Sequence, residues 1–149
     1  MKPYNYLVQF GVCILLLFTG CKKENDNNLS ARTKLLTEKE WKIARFEEKI
    51  NPGDPWDDIT AGIDACDIDN LIRFTENGNY TEKEGPSRCN PADPDIVNSG
   101  NWQFMNNESS IQITESNSRT VDLLIEQLDS GTFRYTISDP GFGIYLRIT

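Results

Sequence analysis

From Trp41 onward, apolar and polar residues alternate in short runs separated by turn-forming residues, the pattern of half-buried antiparallel strands. The last third is clearest. Val121, Leu123 and Ile125 alternate with Asp122, Leu124 and Glu126; Phe133, Tyr135 and Ile137 with Thr132, Arg134 and Thr136; Ile144, Leu146 and Ile148 with Tyr145 and Arg147. Asp129-Ser130-Gly131 and Asp139-Pro140-Gly141 punctuate these runs as turns. Upstream, NLIRF and YTEKE flank Asn77-Gly78, expected to supply the positive φ angles of a tight hairpin. Residues 101–105 and 110–114 pair across Asn106-Asn107, setting Trp102 and Phe104 against Ile111 and Ile113. In the first run Trp41 and Ile43 share one parity while Ala44, Phe46 and Ile50 take the other, which predicts a bulge or bend. Residues 51–67 and 85–99, rich in Pro, Gly and Asp, read as two long loops. Only residues 29–39 suggest a helix, a short one leading into the first strand.

Eight strands with one apolar face each, joined by mostly short sequential connections, predict an all-β fold. An eight-stranded antiparallel up-and-down barrel leaves no exposed edge if the last strand pairs with the first, at residues 41–50. A β-sandwich of the same strand count is the alternative.

The N-terminus reads differently. Residues 7–21, LVQFGVCILLLFTGC, are a short apolar run after Met1-Lys2 that closes on Phe-Thr-Gly-Cys. The run is short for a bilayer span, and the Gly-Cys ending resembles a bacterial lipobox, with an uncut membrane anchor as the plainer alternative. The resemblance implies a signal peptide over residues 1–20 and a lipidated Cys21, with Cys13 removed. Stable attachment then comes from the acyl chains, each buried methylene contributing about 0.8 kcal/mol. Residues 22–34 are almost wholly polar and read as a flexible tether with a reach of about 20 Å, leaving a barrel domain at 35–149. Lys23-Glu24-Asn25-Asp26 resembles the signal that exports Bacteroidetes lipoproteins to the outer face of the outer membrane.

Charge narrows the partners. The chain has 15 Lys and Arg against 23 Asp and Glu, and loss of Lys2 leaves 14 against 23, a net charge of −9. Nucleic acid and anionic lipid surfaces are poor matches for such a chain. Of the four cysteines only Cys66 and Cys89 remain, and in an oxidising envelope they are expected to form a disulfide. A metal site or a redox pair is the weaker reading, because the spacing is not CxxC.

The sequence has 0 His, so the commonest general base and zinc ligand are missing. No catalytic residue, cofactor or phosphate loop is implied; Gly141-Phe142-Gly143 lies in the wrong context for one. Acidic groups at Asp54, Asp57 and Asp58, at Asp64, Asp67 and Asp69, and at Asp93 and Asp95 offer oxygen ligands for calcium, yet none fits a twelve-residue calcium loop. A solvated acidic rim is the plainer reading. Paired carboxylates could serve a glycosidase, but small barrels seldom host one. The aromatic residues, among them Trp102, Phe104, Phe133 and Tyr135, either fill the barrel or line a ligand cavity in its mouth. Trp56, in the Pro-Asp loop, reads as a lid or as an exposed anchor.

The ordered set of motifs also resembles a family. Leu36 with Trp41-Lys42-Ile43, then CDIDNLIRFTENGNY with Cys66, Asp69, Phe74, Gly78 and Tyr80, then Cys89, Gly100-Asn101-Trp102 and VDLLIEQL, is similar to the small lipocalin-like lipoproteins of Bacteroidetes. The resemblance implies a lipocalin-like barrel with its disulfide and no catalytic residues. Two roles are expected from these readings. One is an outer-membrane, surface-exposed lipoprotein that holds a small apolar ligand near Trp56, Trp102, Phe104, Phe133 and Tyr135. The other is a non-enzymatic interaction protein with a filled barrel and an envelope protein partner.

Overall fold

The computed structural model describes residues 29–139 and 144–148. The expected signal peptide, Cys21 and the Pro140-Gly141 turn lie outside them. Helix α1 (Ala31–Thr37) leads into strands β1 (Glu40–Lys42) and β2 (Phe46–Lys49). So short a helix is held by its ends and its contacts. The Ser30 hydroxyl accepts the Thr33 N–H at 3.0 Å, an N-cap. At the other end the Trp41 indole N–H donates to the Leu36 carbonyl at 2.9 Å, satisfying an acceptor the helix leaves unused. Residues 31–34 therefore belong to the folded domain, a correction to the tether expected over 22–34. Polar composition alone misled there, because the cap and the buried Leu36 supply the ordering energy.

After β2 come β3 (Asp57–Asp58), a 3-10 turn (Thr60–Gly62) and helix α2 (Ala65–Ile68). The strands that follow are β4 (Leu71–Phe74), β5 (Asn79–Lys83), β6 (Ile96–Met105), β7 (Ser110–Glu115), β8 (Thr120–Leu128), β9 (Phe133–Asp139) and β10 (Ile144–Ile148). The sheet runs β1-β4-β5-β6-β7-β8-β9-β10-β2-β3, every neighbour antiparallel. β1 and β2 are halves of one bent strand, so the sheet begins and ends on the same stretch of chain. Trp41 lies opposite Ile72 on β4, and Phe46 opposite Ile148 on β10. The fold is thus a nearly closed antiparallel barrel in meander order. The break at residues 43–45 shifts the parity, which lets Trp41, Ile43 and Phe46 all join the interior, as the sequence pattern requires.

Three details depart from the sequence reading. β6 starts at Ile96 inside the expected loop, because Asn98 and Ser99 are polar strand residues opposite Glu82 and Thr81 of β5. Residues 51–67 are not bare loop; they carry β3, the 3-10 turn and α2. In the β4–β5 hairpin only Gly78 has a positive φ, +83°, and Asn77 does not. The Gly78 N–H donates to the Thr75 carbonyl at 3.0 Å, and the Thr75 N–H donates to the Asn79 carbonyl at 3.0 Å, a turn closed by a left-handed glycine.

The two ends of the barrel differ. α1 lies across the end that holds the β4–β5, β6–β7 and β8–β9 turns, and Leu36 is fully buried there. Phe74 is the hub of this end, with its ring centroid 5.5 Å from Tyr80, 5.7 Å from Trp102 and 6.0 Å from Phe133. Trp102 meets Phe104 edge-on at 5.3 Å, and Trp41 lies 5.6 Å from Phe133. The outer face carries polar cross-strand pairs. Gln103 Nε2 donates to Gln112 Oε1, and Gln112 Nε2 to Asp122 Oδ1, both at 3.1 Å across neighbouring strands.

Candidate functional site

At the opposite end, among the described residues, α2, the β5–β6 loop and the β7–β8 turn leave the barrel open. A cavity of about 280 Å³ occupies this half. Its walls are apolar where interior parity puts Ile43, Phe46 and Ile72 against Ile113, Val121 and Ile137. Phe133 and Tyr135, 4.8 Å apart, rise from the aromatic core to its floor and wall. Its volume is near the lower bound for small-molecule sites, about 300 Å³. The barrel interior is thus packed with aromatic side chains at one end and holds a cavity at the other.

Polar groups gather toward the mouth. Interior parity continues from Phe74 and Tyr80 to Glu82, from Gly100 to Asn98, and from Ile113 to Glu115. The Tyr80 hydroxyl donates to Glu82 Oε2 at 3.2 Å. Burial among apolar walls holds the Glu82 carboxyl above its ordinary range, and the negative charges of Asp67 and Glu115 add to this. Hydrogen bonds from Tyr80 and Asn70 offset part of that shift. Burial likewise raises the Tyr80 and Tyr135 hydroxyls, with Glu82 pushing both further. Glu115 meets Arg119 Nη1 at 3.8 Å, but Arg119 is largely exposed, so the pair is weak.

The rim is tied by the Cys66–Cys89 disulfide, whose Cα atoms are 5.3 Å apart. It joins α2 to the β5–β6 loop and so positions Asn70. The Asn70 side chain is buried, accepts the Gly85 N–H at 3.1 Å and reaches Glu82. A Cβ on Gly85 would lie 2.2 Å from the Asp69 carbonyl oxygen, so this approach needs glycine.

The sequence-predicted positions divide. Phe133 and Tyr135 line the cavity. Trp102 and Phe104 do not; they lie in the closed-end aromatic core, and the Trp102 indole N–H is spent on the Thr75 carbonyl at 3.0 Å. Trp56 is half-buried on the rim beneath Lys49, whose Nζ stands 4.5 Å from its ring centroid, and it lines no part of the cavity. Several of the carboxylates weighed for calcium are held in turns and ion pairs. Asp54 accepts Asn51 N–H at 3.0 Å, Asp58 pairs with Arg45 at 3.0 Å, Asp69 accepts Ser87 N–H at 2.9 Å, and Asp95 pairs with Arg88. Among the described residues the one close trio of ligating groups is Cys66, Asp67 and Cys89, and its two sulfurs are bonded to each other.

Glu82, Asn98, Glu115 and Arg119 escaped the sequence reading. Their signal is there: a polar residue that extends an apolar parity at the end of a strand, as in Ile111-x-Ile113-x-Glu115. Among the described residues, no helix is long and apolar enough to cross a membrane. No known family model and no curated protein matches the chain.

Proposed function

We propose that this protein is a non-enzymatic binding protein that holds a small, largely apolar molecule in the open half of its barrel. One observation carries the reading: an apolar-walled cavity of about 280 Å³, closed below by an aromatic core and, among the described residues, open above through a polar rim. Small-molecule sites have this composition, with apolar walls and a few convergent polar groups that fix orientation. A barrel filled along its whole length would leave no such space, so the cavity favours binding over the interaction role.

The lipobox-like ending at Cys21, the polar residues after it and the family resemblance support a lipocalin-like lipoprotein tethered to the outer membrane. A tether there would keep the open barrel near the membrane, where apolar molecules partition. Native mass spectrometry of the protein purified from its own host membranes tests both parts. The expected spectrum shows a diacylated N-terminal Cys21 and a fraction carrying one additional small mass. An unmodified chain that begins at Met1 contradicts the anchor. An acylated chain that never carries added mass, even after incubation with apolar compounds, contradicts the binding role.

A further inference from the structure

The geometry points to an amphiphile with a cationic, hydrogen-bond-donating head, an alkylamine in chemical class, seated with its chain on the apolar floor and its ammonium among Glu82, Glu115 and Tyr135. This inference rests on the binding role proposed above and adds the chemistry of the ligand's head.

Two independent observations carry it. The first is a charge imbalance. Glu82 and Glu115 both face the cavity, and among the described residues no cation forms an ion pair with Glu82. The one cation on the wall, Arg119, is 65% exposed and is engaged with Glu115 at 3.8 Å. A half-buried carboxylate without a positive partner is costly in an apolar setting, and a bound cation would relieve that cost. The second observation is Tyr135. It is only 7% exposed, it lines the cavity, and among the described residues its hydroxyl has no hydrogen-bond partner.

An ammonium has three donors and no acceptor. Glu82, Glu115 and the Tyr135 oxygen offer it three acceptors. A carboxylate head would instead meet two carboxylates with only an exposed arginine in its favour. A neutral alcohol can use the hydroxyl but leaves the charge on Glu82 unanswered. Charge-assisted hydrogen bonds are roughly twice as strong as neutral ones, so head-group discrimination should be measurable.

The test compares octylamine, 1-octanol and octanoate by calorimetry on the full chain in phosphatidylcholine nanodiscs, with empty discs as reference. Octylamine is expected to bind at least about ten-fold tighter than 1-octanol, the discrimination of one charge-assisted contact, with octanoate weakest. Glu82→Gln should bring octylamine down to the affinity of 1-octanol, and a cooperative thermal melt of the variant reports an intact barrel. Should that variant fail to fold, Glu115→Gln carries the same expectation, and Tyr135→Phe should weaken octylamine several-fold. Octanoate binding as tightly as octylamine overturns the inference, as does an amine preference that survives Glu82→Gln. Binding of 1-octanol with no amine preference overturns the head-group inference alone. Failure of all three compounds to bind overturns the cavity role with it.

Discussion

Glu82 shows what a single interior charge does to this fold. Its carboxyl is pushed above the ordinary value of 4.5, first by burial and then by Asp67 and Glu115, so ionising it costs more in the folded state than in the unfolded chain. A group raised in this way gives its full contribution below the unfolded value, and that contribution is lost as pH rises through the folded one. Glu82→Gln keeps the acceptor for the Tyr80 hydroxyl and removes the titration. The variant should therefore melt with the wild type near pH 4, where both side chains are neutral, and above it at pH 8. Thermal melts across that range check the sign. A variant that loses stability as pH rises would mean the charged carboxylate is favoured in place. Tyr80, Tyr135, Asn70, Asp67 and Glu115 all bear on the group, so the difference reports the mouth as a unit.

At the scale of elements, α1 is a plug. Its 7 residues would not hold a helix alone; the Ser30 cap, the Trp41 bond to Leu36 O and the burial of Leu36 hold it across the closed end. Leu36→Ala is expected to destabilise by about 2–5 kcal/mol, as for other fully buried leucines, and Ser30→Ala by about 1 kcal/mol. Urea denaturation separates the two, and equal small losses would mean that the helix is not part of the core. The strand elements were legible wherever a buried face imposed a period of two, as in Val121, Leu123 and Ile125 against Asp122, Leu124 and Glu126. Leu124, 56% exposed, falls on the polar face that this alternation assigns it. The first half of β6 was not legible, because Ile96 and Val97 are both exposed and Asn98 and Ser99 carry no apolar signal. Its pairing is set by the backbone of β5, which composition cannot reveal. The bulge near Glu126 was equally silent; it moves the interior parity from Ile125 to Leu128, opposite Phe133.

For the molecule as a whole, fold and site divide the barrel between them. The closed half carries the edge-on aromatic cluster around Phe74, and the open half gives up packing for space and polar groups. The rim compensates with the Cys66–Cys89 link, whose 23-residue separation corresponds to about 3 kcal/mol of chain-entropy stabilisation. Sequence alone could say that the barrel's aromatics were numerous. It could not say how they were shared between the ends, because that depends on where α1 closes the barrel and how far each strand extends past it. That sharing decides whether the open half is a ligand-sized hollow or packed core. Diffraction from a xenon-pressurised crystal of the protein measures this directly, since xenon enters empty apolar space and not a filled interior. Xenon density is expected among Ile72, Ile113, Val121 and Tyr135 with the closed end empty of it; an interior with no xenon site between those residues would mean the open half is packed core.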